Sequence, residues 1–182
     1  MAVPTFKPTG VERRFGTDEI IVSKTDSKGI ITYANPVFQR VAGYTERELL
    51  GEAHNLIRHP GMPRSVFALL WDTIGAGNEI FAYVLNMCKG GDHYWVLAHV
   101  SPTFGPDHKT IIGYHSSRRC PARAAIAAVE PIYAAILAEE QKVSNPKQQV
   151  QLGLNFVTQF LHSQGQSYEE FLFSVVAATA AA

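Results

Sequence analysis

Residues 79–104 read EIFAYVLNMCKGGDHYWVLAHVSPTF. Both halves are crowded with β-branched and aromatic residues, and KGGD at 89–92 is a glycine turn, so the stretch is expected to be an antiparallel hairpin. Alternation places Phe81, Tyr83 and Leu85 on one face and Ile80, Ala82, Val84 and Asn86 on the other, and it separates Tyr94 from Trp95. TIIGYHSSR at 110–118 continues as a third strand. Upstream, IIVSKT at 20–25, the turn DSKG at 26–29 and the strand-like ITYAN make a second hairpin. The intervening residues carry helix signals. Asn35 can cap PVFQRVAG, Thr45 stands three residues before Glu48 at a capping-box spacing, and Pro63 opens PRSVFALLWDTIGAG, in which Val66, Leu69, Leu70, Thr73 and Ile74 share one face. Two strands, short helices and three strands predict an α+β fold. Its five strands form one antiparallel sheet, and the short helices close over one face and leave a pocket between.

Beyond Arg119 the texture becomes helical. ARAAIAAVEPIYAAILAEE sets Ile126, Val129, Ile132, Tyr133, Ile136 and Leu137 in one apolar stripe, which Pro131 is expected to kink or divide. VSNPK at 143–147 breaks the pattern, and two further helical stretches follow. The expected organisation is a flexible or draped leader over 1–17, a sheet domain over 18–120 and a helical extension over 121–182. Of the 182 residues, 16 are Lys or Arg and 16 are Asp or Glu, so the chain has no net field to attract nucleic acid or an anionic membrane. No apolar stretch is long enough for a membrane span and the N-terminus lacks a signal-peptide core, so the cytoplasm is the default expectation. Cys88 and Cys120 have no metal-type spacing and read as reduced thiols.

One segment is chemically distinctive. HNLIRHPGMP at 54–63 packs two histidines and an arginine around Leu56 and Ile57. Arg58 offers a planar fork for a phosphate or carboxylate, and His59 can donate to the same anion or to a ring carbonyl. The same residues also suit plainer tasks: an ion pair from Arg58 to Glu52, a turn cap at His59, and packing or capping at His54. Asn86 in mid-strand calls for a reason, either an amide facing the pocket or exposure at a strand end.

These blocks, together with DSKGIITYANPVFQRVAGYTERELLGEA before them and NMCKGGDHYWVLAHVSP and IIGYHSSR after them, resemble a PAS domain over about residues 15 to 120. More narrowly they resemble the flavin-binding PAS domain of bacterial aerotaxis receptors, whose hallmarks are an H-N-x-x-R-H-P-D-M-P block and an N-x-x-x-N-G-D-x-Y-W-V block. The resemblance implies FAD held non-covalently by Asn35, His54, Asn55, Arg58, His59, Asn86 and Trp95, with Pro60 in the same motif. Gly61 replaces the usual aspartate, and Ile80 replaces a tryptophan able to stack on a ring. CPARAAIAAVEPIYAAILAEE resembles the linker helix that follows such domains; transmembrane and methyl-accepting parts are not expected here.

The function implied is a cytoplasmic redox or oxygen sensor in signal transduction. It would act through the C-terminal helices, as a homodimer or on a chemoreceptor or histidine kinase. Two alternatives stand beside it: a haem-binding PAS domain using one of the histidines, and a cofactor-free interaction module. A light-activated cysteine adduct has no support, because no cysteine lies between residues 36 and 87. Nor is the chain expected to be an enzyme, since it has no nucleophile elbow, paired carboxylates or dinucleotide fingerprint.

Overall fold

The computed structural model describes residues 6–180; the first five residues of the expected leader and the last two of the helical extension lie outside it. Two compact units emerge. The first joins residues up to His59 with Thr73–Cys120, and the second joins Pro60–Asp72 with residues from Pro121 onward.

The first unit is built on strands β1 (Ile20–Asp26), β2 (Ile31–Ala34), β3 (Ile80–Met87), β4 (His93–Phe104) and β5 (Ile111–Arg119). They form one antiparallel sheet in the order β2-β1-β5-β4-β3, so the central strand is the last in sequence. Both hairpins expected from the sequence are present. Between them lie helices α1 (Pro36–Ala42) and α2 (Glu46–Leu49), a 3₁₀ turn at His54–Ile57, and α3 (Arg64–Gly75). Asn35 caps α1 by accepting from the Phe38 N–H, and Gly43 ends it with a left-handed residue. In α2 the Glu48 carboxylate reaches back 3.0 Å to the Thr45 N–H, satisfying a donor that the helix itself leaves open. Phe38, Val41 and Ala42 of α1 are buried in the core, as are Ile21, Ile31, Leu49, Tyr94 and Val96.

The leader is draped along the sheet rather than free. Glu12 forms a parallel bridge with His93, the Thr9 N–H donates to the Gly91 carbonyl, and Asp92 accepts from the Thr9 hydroxyl at 2.7 Å and from Arg13 Nε at 2.9 Å. Gly91 makes this approach possible. A Cβ there would lie 2.1 Å from the Lys7 carbonyl oxygen, and its φ is +99°.

The second unit is helical. It contains the first residues of α3 with α4 (Arg123–Glu140), α5 (Pro146–Gln164) and α6 (Tyr168–Ala180). Of the kink or division expected at Pro131, the division is absent, and α4 runs through it as one helix. An interior proline costs about 3 kcal/mol. Here Ala125, Ile126 and Val129 before it and Ile136 after it are all buried, and packing on both sides offsets that cost. Asn145 caps α5 by accepting from the Lys147 and Gln148 N–H groups, and Gly165 ends it. Among the described residues no helix is long and apolar enough to cross a membrane.

Gly90 and Gly91 share a φ of +99°, but only Gly91 meets the leader. Gly90→Ala should therefore cost about 1 kcal/mol of backbone strain, and Gly91→Ala at least about 1 kcal/mol more, read from urea unfolding midpoints.

Candidate functional site

Register and alternation assemble one face of the sheet. Arg118 on β5 pairs with Ile21 on β1 and with Ala98 on β4, which in turn pairs with Ala82 on β3. Ser23, Asn86, Tyr94 and Ser116 point the same way, and all of these residues are buried. Small side chains at Ser23, Ala82, Ala98 and Ser116 make a shallow floor, and longer polar ones stand around it.

Arg118 dominates the electrostatics. The residue is 2% exposed, its guanidinium carbon lies 4.4 Å from the centre of the Phe38 ring, and Nη2 donates to the Ser23 hydroxyl. Burial pushes its pKa down to about 10, so it remains a cation at neutral pH. Among the described residues no carboxylate pairs with it, and its Nε and Nη1 donors have no partner. The Asn86 Nδ2 and the Tyr94 hydroxyl are likewise buried with hydrogen-bonding capacity unused. Buried polar groups are normally satisfied, and an unpaired charge is the costliest exception. A set of orphaned donors on one face is what a bound molecule rich in acceptors would complete.

His54 lies beside this group. Its ring stacks on Phe38 at 6.3 Å between centroids, and its Nε2 is 3.3 Å from the Ser23 hydroxyl. Desolvation, and then the charge of Arg118, push its pKa down to about 3, so the imidazole is neutral. Residue 58 forms an isolated antiparallel bridge with Asn86, which joins the HNLIRHP segment directly to β3. The His59 ring meets that of His93 edge-on at 5.8 Å, and its pKa is lowered by burial and then by His93.

The structure thus brings His54 and Asn86 to the sheet's covered face and bridges residue 58 to β3, whereas His59 meets His93, which alternates to the same side as Trp95. Asn35 has a different occupation: its carbonyl oxygen accepts from the Val22 and Phe38 N–H groups and its amide donates to the Ile20 carbonyl, tying α1 to β1. Asn55 is exposed. Trp95 is buried, but it pairs with Leu85 and so lies on the opposite face from Asn86. Arg118, Tyr94 and Ser23 were not selected from the sequence. In YHSSR alternation puts Arg118 on the same face as Ser116, but which face is covered follows only from the order of the strands. Among the described residues no group of three or more His, Cys, Asp or Glu could hold a metal ion. Cys88 donates its thiol to the Val41 carbonyl, and burial raises its pKa to about 11.

A five-stranded antiparallel sheet in this order, covered on one face by short helices around polar residues, defines a PAS fold, and residues 31–115 match the PAS fold family. The sheet unit of this chain thus has a PAS fold. In sequence it is similar to the aerotaxis receptor of Escherichia coli, 44% identical over 65% of this chain and 23% of the receptor. It is also similar to the nitrogen fixation regulatory protein of Klebsiella pneumoniae, 30% identical over 48% of this chain and 18% of that protein. The chain therefore spans less than a quarter of the length of these relatives. Among solved structures, the dark state of the blue-light photoreceptor Aureochrome1 LOV shares the fold, with a TM-score of 0.51 and 23% identity over 67% of this chain and 84% of that one. A light-oxygen-voltage domain whose mechanism was studied through a flavin analogue has a TM-score of 0.53 and 17% identity over 60% and 81%.

Two stability effects follow for the ligand-free chain. Arg118→Met replaces an unpaired buried cation with an apolar chain of similar length and should leave the urea midpoint unchanged or raise it. His54 has a folded pKa of about 3, below the ordinary 6.5, so the unfolded chain gains a proton there that the folded chain refuses. Its contribution is fully present above about pH 6.5 and is lost as pH falls toward 3, by up to about 1.4 kcal/mol per pH unit. His54→Gln should remove that slope from urea midpoints measured between pH 7 and 4, when compared with the parent chain.

Proposed function

We propose that this chain is a signal-transduction sensor module that holds FAD non-covalently against the covered face of its sheet and responds to redox state. The observation that carries the reading is the orphaned set on one face: Nε and Nη1 of Arg118, Nδ2 of Asn86 and the Tyr94 hydroxyl. The pyrimidine edge of a flavin ring offers several acceptors close together, which these donors suit, and the similarity to an aerotaxis receptor points to the same ligand class. When bound, a flavin supplies reversible electron transfer.

The residues of the chain do the rest. Arg118 holds a fixed positive charge in a medium of low dielectric, where it favours any negative charge that develops beside it. The Asn86 amide has both a donor and an acceptor end, so it can answer a change in protonation by turning. Residue 58 is bridged to Asn86, so a turn at β3 reaches the 54–59 segment, and Arg58 and His59 are the cations and donors that segment has to offer the anionic part of the ligand. Asn35 holds α1, and Trp95 packs the far face. From Arg118 the chain runs directly into α4, which begins at Arg123, so the extension is the natural output.

A cytoplasmic location and a receptor or histidine kinase as partner belong to the same reading, supported by relatives that are by name a receptor and a blue-light-activated histidine kinase. A homodimer formed by the α4 stripe would have to release it first, because Ala125, Ile126, Val129 and Ile136 are buried within the single chain.

The purified protein should show the absorption bands of oxidised flavin, and heat should release FAD identifiable by chromatography. Arg118→Met and Asn86→Leu should each lower the flavin bound per chain at least about tenfold, the worth of one or two charged or buried hydrogen bonds. A Soret band would replace this reading with haem, and a protein that stays colourless with added FAD would leave an interaction module.

A further inference from the structure

We propose that Glu140 is a latch that fastens the C-terminal helices to the start of α3, and that its release is the switch by which a change at residues 54–59 reaches those helices. The switching half of this proposal rests on the sensor reading above; the latch does not.

The first N–H groups of a helix need acceptors from outside it. Pro63, immediately before α3, has no side-chain acceptor to offer. The acceptor comes from the last residue of α4, 76 positions away. Glu140 Oε2 accepts from the Arg64 N–H at 2.8 Å, while Oε1 accepts from the Ser65 N–H at 2.8 Å and from the Ser65 hydroxyl at 2.7 Å. Glu140 is 2% exposed and Ser65 is fully buried.

A third element seals the pair. A Cβ on Gly153 of α5 would lie 2.4 Å from Ser65 Oγ and 2.6 Å from Glu140 Oε1, so only glycine lets α5 cover the carboxylate. Three helices meet at one charge.

Such a junction has two states and little between them. A carboxylate in this position is either held by all three donors or exposed to water, because a partly unpaired buried charge is costly. Room to move is present beside it: Val66, Leu69, Ile136, Leu154, Val157 and Phe171 line an apolar cavity of about 40 Å³. The donors also sit at the right point in the chain. Arg64 and Ser65 follow the 54–59 segment with only Pro60–Pro63 between, so a displacement of that segment moves the donors away from their acceptor.

Amide hydrogen exchange on the full chain, followed by mass spectrometry, tests this. Glu140→Gln should raise exchange about tenfold or more in α4, α5, α6 and the first turn of α3, and leave β3, β4 and β5 unchanged. Ser65→Ala, a milder change, should give the same pattern at smaller amplitude, and it keeps the test decisive if Glu140→Gln fails to fold. Arg58→Ala should raise exchange in α4–α6 of the parent chain but add nothing in Glu140→Gln. Unchanged α4–α6 exchange in both latch variants would overturn the latch, and independent, additive effects of Arg58→Ala and Glu140→Gln would overturn the switch. Colour recorded on the same samples separates the two readings: a colourless parent chain with the expected exchange pattern removes flavin and keeps the latch.

Discussion

A guanidinium with no counter-ion among the described residues sits at the centre of this PAS-fold sheet, and much of the surrounding structure serves to hold it. Arg118 is carried on the middle strand of the sheet, beneath the Phe38 ring and beside Ser23. For Phe38 to reach it, α1 must start at Asn35, whose amide is committed to the β1 backbone and the α1 cap. Burial, and then the same cation, disfavour a proton on His54, whose neutral ring also stacks on Phe38. A charge buried at such cost is an unusual choice for stability alone. It makes sense as preorganisation, in which the fold bears the desolvation of the cation beforehand so that a ligand need not.

The division into two units places α3 in an unusual position. Its first nine residues count with the helical extension and its last three with the sheet, yet it is one unbroken helix. The start of that helix is satisfied by a residue from the far end of α4, not by a neighbour in sequence. Local and distant parts of the chain are therefore coupled by hydrogen bonds at one helix terminus, and the proline within α4 does not weaken the coupling because the helix continues through it.

Most of the architecture was legible in the sequence because it is encoded locally. The glycine turns of both hairpins, the Asn35 cap, the Thr45–Glu48 spacing and the alternation in β3 each rest on residues within a few positions of one another. What was not legible depends on tertiary context. Pro131 reads as a breaker until the packing on both sides of it is known. Trp95 matches a motif, but the face it occupies follows from register with Leu85. Arg118 and Tyr94 became visible only when five strands were in order, since nothing in HSSRR or HYW alone says which side chain will be left without a partner. Glu140 was harder still, because a carboxylate at a helix end ordinarily faces water.

The order of the strands also sets a timetable for the nascent chain. Ser23 meets Arg118 across 95 positions, and Thr9 meets Asp92 across 83. Ribosomes add about 5–20 residues per second, so the first hairpin emerges roughly 5–20 s before the strand it must pair with. During that wait β1 presents an open edge, and only α1 and α2 are available to shelter its apolar face. The β3–β4–β5 meander, by contrast, closes on itself as it is made. Folding from the ribosome is thus expected to proceed from the C-terminal half of the sheet, with β1 captured as soon as β5 supplies its partner.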